Sequence, residues 1–231
     1  MNKNYRLWLI PLAFFLVCCG LNLAGCLNYE DHTLERTVKP ALLILLALTS
    51  AAWLLPRSPR PRETALLLTA QLFGFAGDTM LLGNGFFFFA GGIGLFLIGH
   101  AFYITLFGGG HSLRGLKPLA WILGVVLALA CTAGLVIGLG VNGSMLVPMS
   151  VYAFTLSVLI LSALAGVIRF GGLTWWFLLA GALLFTFSDS LIAVRTFGSL
   201  SPFMDGFVIM ATYLAAQGLL AAGCCRLATE K

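Results

Sequence analysis

Eight apolar runs divide this chain, most of them about the 20 residues that a helix needs to cross a bilayer core. They cover roughly 7–27, 40–55, 64–83, 86–107, 118–139, 145–168, 173–194 and 206–225. The runs are continuous rather than alternating, so they predict helices and not the strands of an outer-membrane barrel. Only 9% of the 231 residues are charged against 60% hydrophobic. A soluble domain carries roughly 25% charge, so a soluble enzyme, a disordered chain and a nucleic-acid binder are all excluded. The net charge of +5 implies no nucleic-acid partner, because the basic residues fall in short breaks between apolar runs. The expected fold is all-α: a polytopic membrane protein, one domain of eight transmembrane helices.

Two joins, at Asn84-Gly85 and around Asn142-Gly143, predict tight helical hairpins. Pro40 reads as a first-turn proline opening the second helix. The basic residues then set an orientation. Lys3, Arg6, Arg57, Arg60, Arg62, Arg114, Lys117, Arg169, Arg226 and Lys231 lie on one side, and Arg36, Lys39 and Arg195 on the other. The positive-inside rule expects both termini in the cytoplasm, and the expected location is the cytoplasmic (inner) membrane of a bacterium. A competing reading takes Leu23-Ala24-Gly25-Cys26 as a lipoprotein signal, with Cys26 lipidated after loss of the first span. All six cysteines fall in or at the ends of spans and suit small apolar packing. The sequence itself sets no oligomeric state.

An aspartate at the centre of a span costs about 2.5–3.5 kcal/mol on insertion scales, and two are present, Asp78 and Asp189. Counted from Thr64 and Thr174, they lie about 14 and 15 residues along, or ~21 and ~22 Å. The expected depth is thus the same for both, in the half of the bilayer away from the cytoplasm. Gly77 precedes the first acid and Thr79 follows it; Ser188 and Ser190 flank the second. The small residue permits close helix approach, and the hydroxyl can bond the carboxylate or a nearby carbonyl. The offset of four helices between the two motifs suggests a four-plus-four duplication.

Other polar residues share helical faces: Gln71, Gly74 and Asp78; Phe96, His100, Tyr103 and Phe107; Tyr152 and Thr155; Tyr213 and Gln217. Each also has a structural reading. Gln71 and Gln217 serve as glue between helices, Lys39 and Arg195 as snorkelling end charges, His100 as a core histidine, and Tyr5 and Tyr29 as interfacial anchors. Phe86 to Phe89 reads as lipid-facing or packing surface.

Two carboxylates inside a membrane suit acid–base work: one donates a proton to a substrate while the other activates water. They equally suit a proton relay in a transporter, and a third class is a lipid-binding protein without turnover. No Gly-x-Ser-x-Gly elbow, no metal-ligand spacing and no phosphate-cradling glycine motif is present. Gly108-Gly109-Gly110 reads as a loop.

In order, the sequence runs Lys39-Pro40, GDTMLL at 77–82, Gly99-His100-Ala101-Phe102-Tyr103, Tyr152, GALLFTFSDSLIAVRTF at 181–197 and TYLAAQ at 212–217. This constellation resembles the YhhN/TMEM86 family, over about Lys39 to Leu219. The resemblance implies an eight-helix membrane protein that hydrolyses the vinyl ether bond of 1-alkenyl lysophospholipids (lysoplasmalogens), without a cofactor or metal. That reaction fits the two-carboxylate reading, with Asp78 and Asp189 as the expected catalytic residues. Lys39, His100, Tyr103, Tyr152, Arg195, Tyr213 and Gln217 would bind the lysophospholipid substrate, and membrane lipids would be the other partners.

Overall fold

The computed structural model describes residues 6–138, 140, 141, 143–197 and 200–230. Lys3, Tyr5, Asn142 and Lys231 lie outside the described residues. Eight α-helices are found among these residues: α1 Leu9–Cys26, α2 Thr33–Leu54, α3 Pro61–Met80, α4 Phe86–Tyr103, α5 Pro118–Gly138, α6 Leu146–Phe170, α7 Gly172–Phe197 and α8 Ile209–Thr229. Among the described residues there is no strand. Seven helices, taken with their flanking turns, are long and apolar enough to cross a membrane. The eighth, α3, falls below that hydropathy because Arg62, Glu63, Gln71 and Asp78 interrupt it. Two of these point inward: Gln71 and Asp78 lie on its buried face with Leu67, Ala70, Gly74 and Gly77. Large apolar side chains such as Leu55, Phe87, Ile137 and Ile168 stand exposed around the bundle, as lipid contact requires.

The helices pair as α1/α2, α3/α4, α5/α6 and α7/α8, with further packing of α2 on α3 and α6 on α7. Two longer-range contacts, α2 on α8 and α4 on α6, exchange places when the first four helices are exchanged with the last four. The most enclosed helix is α8, which packs on α1, α2, α3 and α7. The least enclosed, α5, packs chiefly on α6.

Two local expectations are corrected. Pro40 lies inside α2, not at its start. It removes the one hydrogen bond that its nitrogen would give to Arg36, while the helix continues on both sides. Asp31 marks the true beginning by accepting the Thr33 N–H at 2.9 Å; hydrogen bonds from Thr33 hold its carboxyl below the usual range. The extra turns carry Glu35, Arg36 and Lys39 as helical residues rather than loop. The Gly108-Gly109-Gly110 stretch is likewise helical, within a π-helical segment Ile104–Ser112 that continues α4. A shorter π segment, Met204–Val208, leads into α8. The join after α3 turns at Gly85 with φ 93°, a backbone conformation that glycine adopts without strain. At the end of the bundle away from that join, Ser58 Oγ and Arg60 Nη1 donate to the Ala228 and Leu227 carbonyls at 3.0 Å, tying the start of α3 to α8.

Candidate active site

Asp78 follows the first residue of α3 by 17 positions, and Asp189 follows the first residue of α7 by 17. Each helix therefore raises its acid by the same distance toward the same end of the bundle. The flanking hydroxyls take the carbonyl option: Thr79 Oγ1 donates to Phe75 O at 2.9 Å and Ser190 Oγ to Thr186 O at 2.7 Å. Ser188 donates to Ile209 O at 3.0 Å and fixes α7 against α8 beside the acid. A Cβ on Gly77 would lie 2.9 Å from the Phe96 ring, so only glycine lets that ring lie across the turn bearing Asp78.

Each carboxylate is held by a tyrosine from another helix. Tyr213 of α8 donates to Asp78 Oδ2 at 2.6 Å, and Tyr152 of α6 donates to Asp189 Oδ2. Asp78 is 2% exposed, and its second oxygen faces the Lys39 ammonium at 3.9 Å. Asp189 is half-buried, and no cation lies within ion-pair distance of it among the described residues.

From Asp78 the bonding continues inward. Gln217 Nε2 donates to the Tyr213 hydroxyl at 3.4 Å, and the Tyr103 hydroxyl donates to Gln217 Oε1 at 3.3 Å. An aromatic cluster links the two tyrosines that hold the acids. Phe185 meets the His100 ring at 4.4 Å, the Tyr213 ring at 5.5 Å and the Phe96 ring at 6.1 Å. His100 also meets Tyr152 at 5.8 Å. It is buried, and its Nδ1 has no hydrogen-bond partner among the described residues.

Two cavities reach this region. A vestibule of about 450 Å³ opens above the acids, and Glu35, Arg36, Lys39, Arg195 and Asp205 are among its lining residues. A space of about 20 Å³ lies beside Asp189, walled by Phe89, Ile93, Phe96, Met149 and Tyr152. Leu81 and Ile192 line both. Each stands three residues beyond an acid, so each covers the turn above it. The smaller space holds roughly one water, which needs about 10–15 Å³, and Asp189 and Tyr152 are its polar walls.

Of the residues singled out in the sequence, Asp78, Asp189, Lys39, Tyr152, Tyr213, Gln217, Tyr103 and His100 thus share one connected region. Arg195 does not touch it: its Nη1 pairs with Asp205 Oδ1 at 3.1 Å at the vestibule rim. Gln71 is apart as well, bonding Ser50 Oγ at 2.9 Å across α2 and α3. Tyr29 is exposed and lines the vestibule. Phe86 and Phe87 are exposed on the outside of the bundle. Sequence reasoning missed Phe96 and Phe185 as the rings that pack between the two tyrosines' helices, and Glu35 and Asp205 as vestibule walls. The signal for the α2 wall is the spacing of His32, Glu35, Arg36 and Lys39, which is that of one helix face. Among the described residues no group of three potential metal ligands converges.

This architecture defines an integral, multi-pass helical membrane protein with a buried and a half-buried acid beneath a charged mouth. The chain belongs to the YhhN family, whose model matches residues 34–224. It is 32% identical over 214 residues to a human protein named lysoplasmalogenase TMEM86B, covering 92% of this chain and 84% of that one. With the mouse protein of the same name it shares 29% over 218 residues, covering 93% and 85%. With human lysoplasmalogenase TMEM86A it shares 32% over 162 residues, covering 67% and 63%. No solved structure matches.

Proposed function

We propose that this protein is a lysoplasmalogenase-like hydrolase, which splits the vinyl ether bond of a 1-alkenyl lysophospholipid into a fatty aldehyde and a glycerophospho-base. The observation that carries this reading is the pair of acids within the bundle, each anchored by a tyrosine, under a charged vestibule. The names of the relatives point the same way.

A vinyl ether is cleaved by adding a proton to its β-carbon, which leaves an oxocarbenium cation at the α-carbon. Asp189 suits delivery of that proton. It borders a largely apolar space, has no cationic partner among the described residues, and keeps one oxygen free of the Tyr152 bond. Asp78, beside Lys39, suits the carboxylate role: it steadies the cation and takes a proton from the water that adds to the α-carbon. The resulting hemiacetal loses its hydroxyl proton as the glycerol oxygen gains one and the C–O bond breaks. One water is consumed, and both carboxyls return to their starting states. The logic parallels two-carboxylate glycoside hydrolysis. The amphiphilic substrate would keep its headgroup in the vestibule while the alkenyl chain passes Leu81 and Ile192 toward α4 and α6.

A proton-coupled transporter is the second reading, favoured by the string from Asp78 through Tyr213 and Gln217 to Tyr103. The amide of Gln217 interrupts that string, because it does not exchange protons as a hydroxyl or carboxyl does. Purified protein and a 1-alkenyl lysophospholipid separate the readings. Release of fatty aldehyde supports hydrolysis; no aldehyde, with proton-driven uptake into vesicles, would replace it with transport.

A further inference from the structure

The vestibule carries charge of both signs. Arg36, Lys39 and Arg195 are the three basic residues on the sparser side of the chain's charge distribution, and all three line this one cavity. Charge bias that serves orientation alone places cations at the other end, so these three stand against it. Arg36 gives one N–H to the Leu82 carbonyl at 2.6 Å and has no carboxylate within ion-pair distance among the described residues. Two carboxylates line the same space. Glu35 is fixed by Asn22 Nδ2, which donates to its backbone carbonyl at 3.2 Å, and its side chain meets His32 at 3.3 Å. Asp205 holds Arg195. Cations and anions around about 450 Å³ match a small zwitterion, and small-molecule sites run from roughly 300 to 1,000 Å³.

Resting on the lysophospholipid reading, we infer that the vestibule binds a phospho-base bearing a primary ammonium, of the ethanolamine type. Arg36 and Arg195 take the phosphate, and Glu35 and Asp205 take the ammonium. A primary ammonium donates three hydrogen bonds, and carboxylates accept them. A quaternary ammonium donates none and is held by cages of aromatic rings. Tyr29 is the one phenyl or indole ring in the described lining, so these walls favour ethanolamine over choline.

The test measures binding of water-soluble glycerophosphoethanolamine, glycerophosphocholine and inorganic phosphate to the full-length protein in detergent, by calorimetry and thermal shift. The wild type is expected to bind the ethanolamine compound about tenfold more tightly than the choline compound, the size of one hydrogen bond to a charged group. Arg36→Gln and Arg195→Gln each weaken both compounds by about threefold to tenfold. Glu35→Gln and Asp205→Asn each shrink the ethanolamine preference. These two lie on different helical elements, so a folding failure in one leaves the other to decide. Equal affinity for the two compounds, phosphate binding as tightly as glycerophosphoethanolamine, or a preference untouched in both carboxylate variants would overturn the assignment. A parallel aldehyde assay on both alkenyl lysolipids keeps the two readings apart. Aldehyde release without headgroup preference retires only the ammonium site. Preferential headgroup binding without aldehyde retires only the hydrolase.

Discussion

Tyr213 on α8 donates a 2.6 Å hydrogen bond to Asp78 on α3, joining residues 135 positions apart in the chain. Tyr152 on α6 does the same for Asp189 on α7. In both cases the Oδ2 oxygen takes the phenol, and the other oxygen is left for chemistry or for Lys39. The tyrosines fix the acids in place without supplying a counter-charge, which suits the proton exchange proposed for them.

Tyr213→Phe tests that relationship. The ring stays against Phe185 and Phe96, so packing is kept, but Asp78 loses its buried donor. A hydrogen bond to a charged group contributes about 1.5–3 kcal/mol, so the midpoint of thermal unfolding in detergent should fall measurably. Misplacement of the carboxylate should lower kcat by about 10²-fold. Unchanged turnover in aldehyde release would mean that Lys39 alone positions Asp78.

Asp78→Asn and Asp189→Asn separate chemistry from structure. Asparagine keeps the shape and accepts the tyrosine bond, yet it neither delivers nor receives the proton. Each variant should lose aldehyde release by at least about 10²–10⁴-fold. Thermal stability should hold or rise in Asp189→Asn, because a desolvated acid without a cationic partner has been removed. It should fall in Asp78→Asn, because the Lys39 ammonium loses its counter-charge. Near-wild-type turnover in either variant would mark that aspartate as structural and end the two-carboxylate mechanism.

The bundle itself was legible because the apolar runs are long and their breaks short: the eight-helix arrangement expected is the one found. Two places were not. Pro40 suggested a helix start, since proline is most at home in a first turn. Glu35 and Arg36 looked like loop because they are charged, whereas they form outer helical turns facing the vestibule. The three glycines after Phe107 lack the propensity for helix and yet continue α4 as a π segment. Within the site, the two acids stood out by their cost in a membrane. The Phe96–Phe185 contact did not, because aromatic residues on two apolar helices look alike until packing brings their rings to 6.1 Å.

Orientation is open to a direct measurement. The ten-to-three division of basic residues predicts that both termini and the α2–α3, α4–α5 and α6–α7 connections lie in the cytoplasm and that the vestibule faces outward. A reporter fused after residue 231 should behave as cytoplasmic, and an engineered cysteine at Asn28 should react with an impermeant thiol reagent in intact cells. Labelling of that cysteine only after lysis would invert the arrangement.

Ile192 tests the route between the two cavities. It lines both the vestibule and the small space at Asp189, three residues beyond the acid on α7. Ile192→Trp would fill that constriction with a side chain too large for it. Overpacking costs about 1–3 kcal/mol, and the vestibule above gives the indole room, so a cost near the lower end is expected. Turnover of a long-chain alkenyl lysophospholipid should fall by at least about tenfold. A water-soluble vinyl ether with a very short chain should be affected less, because it does not have to thread past the indole. Ile192→Ala should widen the passage and shift preference toward bulkier chains. Equal loss for long and short substrates would place the effect on Asp189 itself rather than on the route to it, and a folded Ile192→Trp variant with unaltered kcat/KM would show that the alkenyl chain reaches the acids by another path.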